Sequence, residues 1–157
     1  MPQFFFDTSA FAKRYHLEDG SDRIASIFQQ PDSTFQVSNL GILETQSAFA
    51  MKVRTGQITE AKAISLRARV LADVAAGIVE LTTFEPMHFA MAGLLVSKYG
   101  FNRRMRTLDA LQLAAALDLR AKGLLDVFVV ADRILGEISV LEGLSTQNPE
   151  DSAVNDR

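Results

Sequence analysis

With 157 residues, 48% of them hydrophobic and 22% charged, the chain has the size and composition of one globular domain with a full core. Sixteen basic residues against 19 acidic ones leave a net charge of −3, so any grip on nucleic acid must come from a local patch rather than from bulk charge. No cysteine is present, which excludes disulfides, thiolate zinc sites and cysteine nucleophiles.

The two histidines, His16 and His88, share no metal-ligand spacing and read as structural or surface residues. No apolar run approaches bilayer length, and MPQFFFDTSA lacks the basic region of a signal peptide. A cytoplasmic location is therefore the expectation.

Taken in chain order, residues 3–7 (QFFFD) read as a short buried strand, followed by a helical segment from Thr8. A second helix follows Gly20, with Ile24, Ile27 and Phe28 at helical spacing. PDST at 31–34 is turn chemistry, and FQV at 35–37 is a second strand. Ser38 or Asn39 can cap the next helix, which Gly56 ends, and Thr59 opens another that runs to about Gly77. IVEL at 78–81 is a third strand. A helix over 85–100 carries Pro86 in its first turn, where the missing N–H costs nothing. Thr107 is expected to cap the helix LDALQLAAALDLRAKG. VFVV at 127–130 is a fourth strand, DRILGEISVLEG a last helix, and a weak fifth strand is expected near Leu144.

Strands separated by helices imply parallel pairing through right-handed crossovers, hence a three-layer α/β/α domain with a central sheet of four to five strands. We place this domain at 1–146 and read 147–157 as a polar, disordered tail.

Four carboxylates stand where solvated ones do not belong. Asp7 and Asp132 follow the apolar runs QFFF and VFVVA, at the carboxyl ends of strands where such sheets bind ligands. Either alone reads as a helix N-cap; two on one sheet edge point to a site. Asp109 opens a helix that is hydrophobic nearly all round, and Glu44 interrupts an apolar stripe of Leu40, Ala48 and Met51. A buried carboxylate needs an arginine, a proton or a metal. Two explanations stay open on spacing: convergence on a hard divalent cation such as Mg²⁺ or Mn²⁺, or ion pairs with Arg103, Arg104 or Arg106.

The segments FFFDTSAFAKRY, VSNLGILETQSAFA, RTLDALQLAAAL and VVADRIL, in that order, resemble the PIN-domain family, and in particular the VapC-type toxins of toxin–antitoxin pairs. The resemblance spans roughly residues 3–145. It implies a PIN-like nuclease domain: a Mg²⁺- or Mn²⁺-dependent endoribonuclease whose acidic site falls on Asp7, Glu44, Asp109 and Asp132. It also implies a homodimer restrained by a cognate small antitoxin. The metal would be held mainly by Asp7 and Asp109, with Glu44 and Asp132 binding directly or through water, and Glu44 or Asp132 positioning the attacking water. The chain departs from relatives in having Val130 where they often carry a hydroxyl two residues before the last Asp. Thr8 and Ser9 are the nearby substitutes.

Arg103, Arg104 and Arg106, with Lys13 and Arg14, would give a basic rim for RNA around the acidic centre. The apolar helices 40–54 and 59–76 would offer the antitoxin a groove. Met87 and Met91 read as core or partner contacts. The alternative is a catalytically silent PIN-like module that binds metal or protein, for which Val130 leaves room. A haloacid-dehalogenase-type phosphatase would need a second Asp where Ser9 stands, and neither a P-loop nor a nucleophile elbow occurs.

Overall fold

The computed structural model describes residues 1–151. Its strands are β1 (Gln3–Phe6), β2 (Thr34–Ser38), β3 (Glu80–Thr82), β4 (Val127–Val129) and β5 (Thr146–Gln147). Its α-helices are α1 (Thr8–Phe11, continued by a 3-10 turn Ala12–Arg14), α2 (Ser21–Phe28), α3 (Asn39–Arg54), α4 (Glu60–Ala75), α5 (Pro86–Tyr99), α6 (Thr107–Ala121) and α7 (Arg133–Leu141). All strands pair in parallel in one five-stranded sheet of order β3-β2-β1-β4-β5, as expected for a three-layer α/β/α domain. The chain winds outward from β1 to β3 on one side and from β4 to β5 on the other. The order therefore reverses between β1 and β4, and a crevice opens there at their carboxyl ends.

The three phenylalanines of β1 explain the layering. Side chains alternate across a strand, so Phe4 and Phe6 face one side of the sheet and Phe5 the other. Phe4 and Phe6 pack with Phe11, Tyr15, Ile24, Ile27, Phe35 and Phe49 under α1 to α4. Phe5 stacks on Phe128 at 5.7 Å and joins Leu113, Leu135 and Ile138 under α5 to α7. All three rings are at most 3% exposed, so β1 is clamped on both faces up to its last residue.

Helix α6 is buried from Ala110 to Ala116, which accounts for its run of small and apolar residues. Ser38 and Thr59 cap α3 and α4 as expected, their hydroxyls accepting from the N–H groups of Gly41 and Lys62. Thr107 does not cap α6. It is the first helical residue, and Arg106, in extended backbone, holds the capping position without a side-chain cap bond. Thr45 is fully buried, its hydroxyl satisfied by donating to the Gly41 carbonyl at 2.8 Å, while Met51, read as part of an apolar stripe, is exposed. One turn of α3 thus faces inward where the apolar pattern alone suggests otherwise.

The boundary drawn at residue 146 falls inside β5. Beyond it, Pro149 is buried and Glu150 pairs with Lys13 at 2.7 Å. A side chain at Gly20 (φ +86°) would meet the Pro149 carbonyl at 2.7 Å, so glycine there lets residues 148–150 close over the start of α2. The rest of the expected tail, 152–157, lies outside the described residues.

Candidate active site

Asp7 is the first residue past β1. Its N–H donates to the Val129 carbonyl at 3.0 Å, which ties it to β4, and its own carbonyl accepts from the N–H groups of Ala10 and Phe11. It occupies the N-cap position of α1, yet its side chain makes no cap bond. The capping explanation therefore fails for this residue. Its carboxylate is 5% exposed and accepts from the Ser9 hydroxyl. Burial pushes the Asp7 carboxyl up to about 7, against the Ser9 hydrogen bond; the charges of Asp109 and Glu44 add to the rise. Three of the four carboxylates are thus close enough to feel one another, although they come from β1, α3 and α6.

Glu44 is half-buried on α3. Its Oε1 accepts from the Thr8 hydroxyl at 3.0 Å and, more weakly, from Gln112 Nε2 at 3.4 Å, while among the described residues its Oε2 accepts nothing. Asp109 lies in the first turn of α6, and its Oδ2 accepts from Arg106 Nε at 3.0 Å. Asp132 caps α7 through its Oδ1, which accepts from the Leu135 N–H at 2.8 Å; its Oδ2 stands 3.8 Å from an Arg106 guanidinium nitrogen. The capping account, which fails for Asp7, therefore holds for Asp132. The ion-pair account holds for Asp109 and in part for Asp132.

Ser9 supplies the hydroxyl that Val130 lacks. Val130 is 1% exposed and packs in the core, whereas the Ser9 oxygen accepts from the N–H groups of Ala131 and Asp132 at 3.2 and 3.3 Å. One hydroxyl thereby joins the ends of β1 and β4 across the crevice.

The basic rim is only partly as expected. Arg103 pairs with Glu137 at 3.1 Å and Arg104 is exposed. Lys13 points inward, 5% exposed, and pairs with Glu18 and Glu150, so it does not belong to the rim. Arg14 also turns away, to Asp73 at 2.9 Å and over the Phe28 ring.

Gln112 escaped the sequence reading. It is 1% exposed, donates from Nε2 to the Thr8 hydroxyl and to Glu44, and its Oε1 is buried without a partner among the described residues. The signal was there: one amide in an otherwise apolar stretch, three residues after Asp109.

The donor set is all oxygen and suits a hard divalent cation in kind, and a cation would relieve the repulsion that Asp109 and Glu44 exert on Asp7. Among the described residues, however, no three ligating side chains gather closely enough to hold an ion in this conformation. The carboxylates are instead turned to Ser9, Thr8, Gln112, Arg106 and the Leu135 N–H.

Solved structures share this architecture. VapC20 from Mycobacterium tuberculosis, a toxin described as cleaving the sarcin–ricin loop, matches with a TM-score of 0.62 over 90% of this chain and 95% of its own, at 18% identity. FitAcB from Neisseria gonorrhoeae matches with a TM-score of 0.65 over 93% and 97%, at 13% identity. VapBC-1 from nontypeable Haemophilus influenzae matches with a TM-score of 0.55 over 94% and 98%, at 16% identity. The fold is the PIN fold of VapC-type toxins. At these identities the likeness is one of fold. No protein-family model and no curated protein sequence matches the chain. Within the PIN fold, the crevice between β1 and β4 is where Asp7 and Asp132 stand.

Proposed function

We propose that this chain is a Mg²⁺- or Mn²⁺-dependent endoribonuclease, the toxin of a type II toxin–antitoxin pair. The observation that carries the reading is Asp7: a buried carboxylate with no cationic partner, in the field of two others, at the switch point of a PIN-type sheet. A stability-driven fold has no use for such a group, since it costs free energy unless something binds it.

Asp7 and Asp109 would hold the cation, with Glu44 and Asp132 beside them. When bound, the ion supplies Lewis-acid polarisation of the scissile phosphoryl oxygen and a more acidic water. The protein's own groups do the rest. Glu44 is better suited than Asp132 to orient the attacking water, because its Oε2 is free among the described residues while Asp132 Oδ1 is committed to capping α7. Thr8 and Gln112 hold Glu44 at that angle, and Ser9 keeps Asp7 at the crevice. Arg103, Arg104 and Arg106 line the approach that a polyanion would take.

The cleft of about 300 Å³ between α3 and α4, lined by Phe49, Ala50, Val53, Ala63 and Ile64 and edged by Arg54, Glu60 and Arg67, would take a few apolar side chains from a small antitoxin. Phe89 and Val96, seven residues apart on one side of α5, are exposed and suit contact with a second copy of the chain. A silent binding module is the second reading. It is favoured by the carboxylates' present hydrogen bonds to protein groups rather than toward a common point.

Incubation with ribosomal RNA, including the sarcin–ricin loop that VapC20 is described as cleaving, decides between them. Cleavage with Mg²⁺ or Mn²⁺ is expected, with none in chelator or for Asp7→Asn and Asp109→Asn. Uncut RNA supports the silent module instead, and equal cutting by the variants overturns the assignment of the chemistry to Asp7 and Asp109.

A further inference from the structure

Among the described residues, Arg106 is the one cationic group drawn into the acidic edge. Its Nε donates to Asp109 Oδ2 at 3.0 Å and its terminal nitrogen lies 3.8 Å from Asp132 Oδ2, so one guanidinium faces two of the four carboxylates. Its location is electrostatically odd. It stands at the N-cap of α6, where the helix dipole disfavours a positive charge, and it contributes no side-chain cap bond. What holds the guanidinium there is the pair of carboxylates.

The hold is weak. The side chain is 58% exposed, and ion pairs so open to water are worth little. The backbone at Arg106 is extended (φ −80°, ψ 156°) and outside the helix, so the side chain can swing without unwinding a turn. A group placed this way blocks the cation's ligands when the site is empty and is easily released when they are taken.

We propose that Arg106 is a built-in counter-ion, which a divalent cation must displace from Asp109 and Asp132 and which then turns to a non-bridging oxygen of the RNA phosphodiester. The inference rests on the nuclease reading above and adds an exchange to it. Loading the site and presenting the arginine to substrate become one event. A planar guanidinium suits both roles, because its fork matches a carboxylate and a phosphate equally well.

Titration calorimetry of Mn²⁺ into the metal-free protein tests this without relying on activity. Arg106→Gln is expected to bind Mn²⁺ roughly fivefold more tightly than wild type, the scale of a lost surface ion pair plus one removed repulsion. Arg120→Gln, which removes an exposed charge in the last turn of α6, at the opposite end of the helix from Asp109, should leave Mn²⁺ affinity unchanged. In RNA cleavage, half-saturating Mn²⁺ should fall in parallel for Arg106→Gln while the maximal rate drops roughly tenfold.

Equal or weaker Mn²⁺ binding by Arg106→Gln, in a wild type that does bind, overturns the exchange and leaves the nuclease reading standing. An undiminished maximal rate overturns the phosphate half. No Mn²⁺ binding by any form removes the metal reading itself, and the exchange with it.

Discussion

Asp7 and Asp118 are the same residue type at nearly the same burial, 5% and 7% exposed, and they behave in opposite ways. Asp118 sits on α6 between His88 Nε2 at 3.0 Å and Lys122 Nζ at 2.7 Å. His88 Nδ1 accepts from the Glu85 N–H at 2.9 Å, so its proton is on Nε2 and is donated to Asp118. Burial alone would raise the Asp118 carboxyl, but the hydrogen bonds from Lys122 and His88, with the Lys122 charge, outweigh it and hold the group below its ordinary range. Asp7 has a hydroxyl partner and two like charges, and is pushed up. Asp118, with a cation in place, is held as scaffold, whereas Asp7, buried without one, has the environment that the proposed metal site requires.

Several substitutions would break or sharpen that contrast. The largest effect is on chemistry: Asp7→Asn should lower RNA cleavage by on the order of 1,000-fold, measured with Mg²⁺ against wild type. The same change should stabilise the metal-free protein. Asp7 has a folded value of about 7, above the unfolded carboxylate value, so its ionisation opposes folding. At about 1.4 kcal/mol per pKa unit, the upper bound at pH 8 is ~4 kcal/mol, or roughly 10 °C in Tm. Lowering the pH from 8 toward 5 protonates Asp7 in the folded chain only, so wild type gains stability across that window and the advantage of Asp7→Asn shrinks, vanishing only as the pH falls through the unfolded carboxylate value of about 4.

Asp118→Ala should move the other way, costing about 2 kcal/mol because the buried His88 N–H loses its acceptor. Its depressed carboxyl contributes stability at neutral pH that is lost only in acid, as pH falls through the folded value. Gln112→Leu should leave thermal stability within about 1 kcal/mol, since it removes a buried orphan oxygen along with its donor, but cut RNA cleavage about tenfold by freeing Glu44. Lys122→Ala is the smallest, a slight lowering of the midpoint of chemical denaturation, because the ammonium is half exposed.

What the sequence made legible follows the same division. Periodicity and punctuation were enough for the sheet, because FFF, FQV and VFV are buried on both faces and Ser38, Thr59, Gly56 and Gly77 mark helix ends in ways that depend on local chemistry. The four acids stood out because each breaks an apolar pattern, and the coupling of Asp7 to Asp109 and Glu44 places three of them near one another. Directions of long side chains were not legible. Lys13 follows Asp7 by less than two helical turns and looks like rim, yet it turns inward because Glu18 and, from the far end of the sequence, Glu150 meet it there. The start of α6 at Thr107, with Arg106 in the N-cap position making no cap bond, and the burial of Thr45 likewise depend on tertiary neighbours rather than on spacing. Asp132 combined two roles that the sequence presented as alternatives, since one oxygen caps α7 while the other faces Arg106.

Carboxyl-carbon NMR titration of Asp7, assigned by comparison with Asp7→Asn, tests the central claim most directly. Without divalent ions the account predicts titration near pH 7, and a fall in that midpoint as Mg²⁺ is added. An Asp7 that titrates at about pH 4 as exposed carboxylates do, and ignores Mg²⁺, would contradict it.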